Sequence, residues 1–146
     1  MTKLRTGDPW MPAAEYGRSL SGLGINLLVA DIDRAVAYQT YVLGAEVVYA
    51  DPDFAVVQGY GAEWMLHADH TYSDHELKGS LQTGLARGIG VELRLHHCDP
   101  DAAEARARER GETVLAGAMD KPHGLREAFL VDPDGYLWVP DVPTVA

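Results

Sequence analysis

Val29-Ala30-Asp31-Ile32-Asp33-Arg34-Ala35-Val36-Ala37 and His97-Cys98-Asp99-Pro100-Asp101-Ala102-Ala103-Glu104-Ala105 begin 68 residues apart and share one pattern. Each offers an aspartate and then an alanine-rich helical stretch. A carboxylate at such a place accepts hydrogen bonds from the free N–H groups of the first helical turn. Pro100 suits the first helical position, where the missing N–H has no partner to lose. Both stretches run to a glycine able to take a left-handed stop, Gly44 or Gly111, 67 residues apart. Ala45-Glu46-Val47-Val48 and Glu112-Thr113-Val114-Leu115 follow. Gly61-Ala62-Glu63-Trp64-Met65 then matches Gly135-Tyr136-Leu137-Trp138-Val139 at an offset of 74. The preserved order, with small insertions, marks a duplicated unit.

Each copy reads as βαβββ. Gly24-Ile25-Asn26-Leu27-Leu28-Val29 is rich in branched apolar residues, and Val91-Glu92-Leu93-Arg94-Leu95-His96 alternates strictly, so both are expected as strands. Helices are expected up to Gly44 and over residues 102–110. Three strands follow in each half, at about 46–50, 54–58 and 63–68, then 113–116, 126–131 and 136–139. Gln58-Gly59-Tyr60-Gly61 and Asp132-Pro133-Asp134-Gly135 carry the turn residues between the last two. The fold class is therefore α+β, one structural domain of two tandem modules at 21–70 and 89–142. Residues 71–88 form a linking loop. Residues 1–20, with Pro9, Pro12 and two aromatic residues, are expected as an extended arm packing on the body or on a partner chain.

The chain has 146 residues, 47% of them hydrophobic, enough to bury one compact core. Twenty-two acidic against twelve basic residues give a net charge of −10, so the basic face needed for nucleic acid or an anionic membrane is missing. No apolar run approaches the ~18–20 residues of a membrane span, and the first ten residues lack a signal-peptide core. A lone cysteine, Cys98, excludes an internal disulfide and fits the reducing cytoplasm. The expected partners are a small-molecule ligand and a second copy in a homodimer, the commonest oligomer.

The paired βαβββ units, the Asp-x-Asp lead-ins and Arg126-Glu127-x(4)-Asp132-Pro133-Asp134-Gly135 together resemble the vicinal oxygen chelate superfamily, over roughly residues 22–142. That group includes glyoxalase I, bleomycin-resistance proteins and extradiol dioxygenases. The resemblance implies sheets curled into an open barrel, with helices outside and a ligand cavity inside. In its metal-dependent members four inward positions hold the ion, and here they correspond to Gly24, Met65, Glu92 and Val139. Glycine and valine offer no ligand atom, and a thioether suits a hard divalent ion poorly. No cofactor is expected. The alternative is one divalent metal ion at a displaced site using His67 and Glu92, with lyase, isomerase or dioxygenase chemistry.

Alternation along strands places Asn26 and Leu28 on the same face as these positions, with Glu63 and His67 beside Met65, and Arg94 and His96 beside Glu92. The expected result is one pocket with a polar wall among Leu28, Met65, Leu137 and Val139. Glu92 and His96 are its candidates for proton transfer. Arg94 is a candidate clamp for a carboxylate or enolate. The same three residues could equally form a satisfied ionic ladder. His123 is expected in a loop at the cavity mouth. His67-Ala68-Asp69-His70-Thr71-Tyr72-Ser73-Asp74-His75-Glu76 reads as a solvated rim or as a loop metal site. Trp64 and Trp138, one residue out of phase, are expected under a helix or at a dimer interface. Arg126 and Glu127 are expected to pair with each other. The function expected is metal-independent binding of a small organic molecule, for which the acidic balance suits a cationic one. The alternatives are an enzyme of the types named above and a non-catalytic dimeric interaction protein.

Overall fold

A computed structural model describes residues 3–73, 87–88 and 90–145. Its strands and helices are α1 (Ala13–Ser19), β1 (Asn26–Val29), α2 (Ile32–Ala37), β2 (Glu46–Ala50), β3 (Phe54–Gly59), β4 (Ala62–Ala68), β5 (Glu92–His96), α3 (Pro100–Glu109), β6 (Thr113–Asp120), β7 (Leu125–Val131) and β8 (Leu137–Pro143). The helix starts follow the local chemistry. Asp31 accepts from the Arg34 N–H, and Asp99 accepts from the N–H groups of Asp101 and Ala102, with Pro100 at the first helical position. α2 continues into one π turn over Tyr38–Val42 before Gly44 (φ 72°) ends it. At the β3–β4 hairpin Gly59 faces Ala62, and Tyr60 (φ 55°) and Gly61 (φ 78°) are both left-handed, the backbone of a two-residue turn matched to sheet twist.

The strands form two four-stranded mixed sheets, ordered β1-β4-β3-β2 and β5-β8-β7-β6. β1 with β4 and β5 with β8 are parallel, and the remaining pairs are antiparallel. Asn26 stands opposite Met65 and Leu28 opposite His67. In the second sheet Glu92 faces Leu137, Arg94 faces Val139 and His96 faces Asp141. β6 and β8 run four residues beyond the ends expected from sequence. Pro140 has no N–H to give the ladder, and the β7–β8 pairing lapses there, resuming at Glu127 opposite Asp141.

One face of each sheet carries its helix, and those two faces share a single core. Leu27, Val29, Val57, Trp64 and Leu66 of the first sheet join Leu95, Ala128, Leu130 and Trp138 of the second, with Ile32, Ala35, Ala103 and Ala107 from the helices. Trp64 and Trp138 meet at 5.5 Å between ring centroids. Each indole N–H is satisfied, at 2.9 Å, by Gln39 Oε1 and Asp132 Oδ2 respectively. Of the two places expected for these tryptophans, the helix side inside the chain is the one they occupy. Tyr136 donates to the Leu28 carbonyl and the Ala30 N–H donates to Asp134, tying the modules together at the turns.

Because the helix-bearing faces are spent on each other, the opposite, open faces of the two sheets point away from one another. Among the described residues the sheets form no closed barrel, in keeping with the open, curled α+β arrangement expected. The N-terminal arm packs on its own body, and it is not wholly extended: α1 lies over the open face of the first sheet, with Tyr16 buried against Phe54 and Val56. No helix among the described residues is long and apolar enough to cross a membrane.

Candidate functional site

The arm and the first sheet enclose a cavity of about 430 Å³. Phe54, Met65 and His67 line it from the sheet, Arg5, Pro9, Ala13 and Tyr16 from the arm, and Thr71 and Tyr72 at one end. The arm is latched by Asp53, whose carboxylate is 1% exposed. It accepts from the N–H groups of Leu4 (2.7 Å) and Arg5 (3.0 Å) and from His70 Nε2 (2.8 Å). Burial alone would raise its pKa, but His70 and the two N–H donors outweigh that and hold it below the usual carboxylate value. Trp10 stacks on Tyr49 at 4.8 Å and leans on Tyr16 and Phe54, pinning the arm to the first sheet.

Four residues expected at the site are brought together here. Asn26 donates from Nδ2 to the Tyr72 hydroxyl, and its Oδ1 lies 2.5 Å from His67 Nδ1. An amide oxygen only accepts, so His67 carries its proton on Nδ1. Burial first, and the charge of Arg5 second, push the imidazole below its ordinary pKa. His67 is thus a neutral ring of fixed tautomer, with Nε2 left as an acceptor in the cavity lining. Met65 lies beside it, and Glu63 accepts from Tyr16 at 3.0 Å. Burial and that bond push the Tyr16 hydroxyl up to about 12. His70 faces the Asp53 latch, and Asp69 is held by both terminal nitrogens of Arg87 at 2.7 Å. Asp74, His75 and Glu76 of the histidine-rich stretch lie outside the described residues, as does most of the 71–88 linker.

The other expected residues sit on the open face of the second sheet, so the single pocket anticipated from sequence is two separate places. Arg94 is the centre. It bonds Glu92 at 2.8 Å, donates closely to Glu127, and approaches Asp141 Oδ2 at 3.1 Å without hydrogen-bond alignment. His96 Nδ1 reaches Asp141 at 2.8 Å, and His123 Nε2 reaches Glu127 at 3.3 Å. Glu127 and Asp141 are buried, while Glu92, His96 and His123 are largely exposed. Arg94 pulls Glu127 below the usual glutamate range against the opposing effect of burial, and Glu127 in turn raises Arg94. The cluster is an ionic ladder widened by two carboxylates that sequence reasoning missed, and it leaves Asp141 Oδ2 buried without a hydrogen bond among the described residues. Asp141 had a signal, since it follows Val139 by two in the same strand phase. Glu127 was assigned to Arg126, but neighbours on a strand point to opposite faces. Arg126 instead reaches Asp101 at 2.8 Å and Asp120 at 3.0 Å.

The donor set fits a catalytic metal poorly. Gly24 has no side chain, Val139 is buried hydrocarbon, Met65 offers a thioether and Glu92 is engaged by Arg94. Arg94 already supplies positive charge among the three carboxylates of the second face. His67 and Glu92, the pair considered for a displaced ion, lie on faces that point apart and do not converge within one chain. Among the described residues no group of three or more His, Cys, Asp or Glu side chains is arranged to hold a metal ion.

No curated protein matches the sequence. Among solved structures, the chain resembles TioX from Micromonospora sp. ML1 at 23% identity and TM-score 0.61, over 86% of this chain and 98% of that one. It resembles a glyoxalase/bleomycin resistance protein/dioxygenase family enzyme from Burkholderia phytofirmans PsJN at 18% identity and TM-score 0.67, over 82% and 96%. The fosfomycin resistance protein FosX from Listeria monocytogenes gives 19% identity and TM-score 0.62, over 86% and 96%. At such identities these likenesses speak for the fold. The family model, in contrast, aligns with residues 23–139, most of the chain and both βαβββ units. The protein belongs to the Glyoxalase/Bleomycin resistance protein/Dioxygenase superfamily.

Proposed function

We propose that this protein binds a small organic molecule, without a metal ion, in the cavity between its N-terminal arm and its first sheet. The supporting observation is the cavity itself: about 430 Å³, walled mostly by Phe54, Met65, Tyr16 and Pro9, with a few polar groups converging on it. That composition is the usual one for small-molecule sites. Met65 and His67 line the cavity, while Asn26 and Glu63 hold lining residues in place. Glu92, Arg94, His96 and His123 belong to the other face, where the ion network leaves little free to act on a ligand inside one chain. Met65→Trp, which fills the cavity from its floor, tests the reading. A thermal-shift screen of small organic molecules should find compounds that raise the melting temperature of the native chain. The variant should weaken their binding at least about tenfold. Hits that bind the variant undiminished would place the site elsewhere.

A second copy is part of the proposal. The open face of the second sheet exposes Leu115 and Val91 around Phe129 and Leu137, an apolar surface suited to a homodimer. Light scattering should give twice the 15.9 kDa chain mass, and Leu115→Glu should return it to one. A native chain that scatters as a monomer would count against the dimer. The free, buried thiol of Cys98 accords with a cytoplasmic setting.

A further inference from the structure

We propose that the cavity beneath the arm selects a planar aromatic anion, whose negative group meets Arg5 and Lys3 and whose ring lies against Phe54 and Met65. This rests on the reading of that cavity as the ligand site and names what it would take.

Arg5 supplies the argument. Its side chain is only 12% exposed, and it lines the cavity. Its nearest carboxylates, Asp53 and Asp51, stand at 3.5 Å and 3.6 Å, and the guanidinium makes no hydrogen bond among the described residues. Its Nε is buried without a partner. The two carboxylates are committed elsewhere. Asp53 takes the Leu4 and Arg5 N–H groups and His70, while Asp51 takes the Tyr49 hydroxyl at 2.7 Å and the N–H groups of Asp53 and Phe54 at 2.7 and 2.9 Å. A guanidinium carries five donors in a fixed fork and no acceptor, and leaving it buried and unbonded is costly. The missing element is therefore an acceptor, and a flat anion is the shape the fork recognises. The guanidinium also sits 5.7 Å over the Phe54 ring, so that an anion on it would hold an attached aromatic group close to the same wall.

The rest of the lining agrees. Lys3 adds a second cation, while Asp53, the lining carboxylate, is turned into the latch. His67 presents a neutral ring that does not repel an anion. The net charge of −10, which pointed toward a cationic ligand, is thus not the charge that the cavity presents.

Calorimetric titration of the full chain with 2-naphthoate, 2-naphthamide and 2-naphthylmethylammonium tests the assignment. The naphthoate should bind at least about tenfold tighter than its neutral isostere, and the ammonium weakest of the three. Arg5→Gln should bring the naphthoate to within about twofold of the amide while amide binding itself persists, which shows that the cavity survives the change. Should Arg5→Gln loosen the arm and lose both, Lys3→Gln, on an exposed side chain, should still cut the preference by about threefold. Equal binding of amide and naphthoate, or tightest binding of the ammonium, would overturn the anion class and leave the ligand site standing. Failure of all three, together with no hit in the thermal-shift screen, would overturn both.

Discussion

Arg94→Met is expected to destabilise the chain by about 3–5 kcal/mol at neutral pH, the cost of leaving buried charges without their counterion. The methionine keeps much of the length of the side chain and removes only the guanidinium, so packing changes little. Glu127 and Asp141, 4% and 1% exposed, would then face each other's side of the sheet with only His123 and His96 for company. Those imidazoles are mostly exposed and bear charge only when protonated. In the native chain Glu127 is held below its ordinary pKa, with burial opposed and outweighed by Arg94 and then His123. A depressed carboxyl contributes stability that is present above its unfolded pKa and is lost as pH falls through its folded one. The native chain should therefore weaken on acidification through the carboxylate range. Without Arg94 burial prevails and raises Glu127, so the variant recovers part of its deficit as the carboxyl takes up a proton. Urea melts at about pH 7 and about pH 4.5 should show the native-to-variant gap narrowing in acid. A gap of constant size would mean that lost packing, not stranded charge, accounts for it. Arg94→Lys should fall between the two, since it restores the charge without the fork.

The parts of this molecule that were readable from sequence are those written in local chemistry. Asp31 and Asp99 cap the helices that their positions implied, Tyr60-Gly61 turns where glycine permits, and the strand phases hold. Trp64 and Leu66 go inward to the helices while Met65 and His67 go to the other side. What alternation cannot say is which surface a face will meet. Both open faces obey the same period of two, so Asn26, His67, Arg94 and His96 looked like one wall. The long-range packing of the shared core, Trp64 on Trp138 within it, turns those walls in opposite directions. The arm was legible only as a segment that packs on the body or on a partner, for a related reason. Trp10 and Tyr16 announce that something is covered, but their partners Tyr49, Phe54 and Glu63 lie more than thirty residues away. Arg5, which the cavity argument now rests on, carried no local signal at all. Its meaning comes from the acceptors it lacks, and those are visible only once the fold has brought Asp51 and Asp53 beside it.

Trp138→Ala should cost about 3–5 kcal/mol, a large part of the ~5–15 kcal/mol that holds a domain together. The residue is 2% exposed and packs on Trp64 across the line where the modules meet. Removing the ring opens a cavity in the core shared by both sheets and takes away the N–H that Asp132 accepts at 2.9 Å. Trp138→Phe separates these effects, because it keeps a ring against Trp64 but strands one oxygen of a buried carboxylate, for about 1–3 kcal/mol. Asp132 retains the N–H groups of Asp134 and Tyr136, so the turn that carries the Ala30 and Leu28 contacts should survive in that variant. The more searching outcome is the shape of the transition. If the two βαβββ units were independent, the loss would appear only in the second. Because Leu27, Leu66, Leu130 and Trp138 lie in one cluster, the fluorescence of the two remaining tryptophans, Trp64 in the first module and Trp10 packed against that module, should report the same lowered midpoint as the far-ultraviolet circular dichroism of the whole chain. Two separate midpoints would show that the duplicated units, though fused, still fold apart.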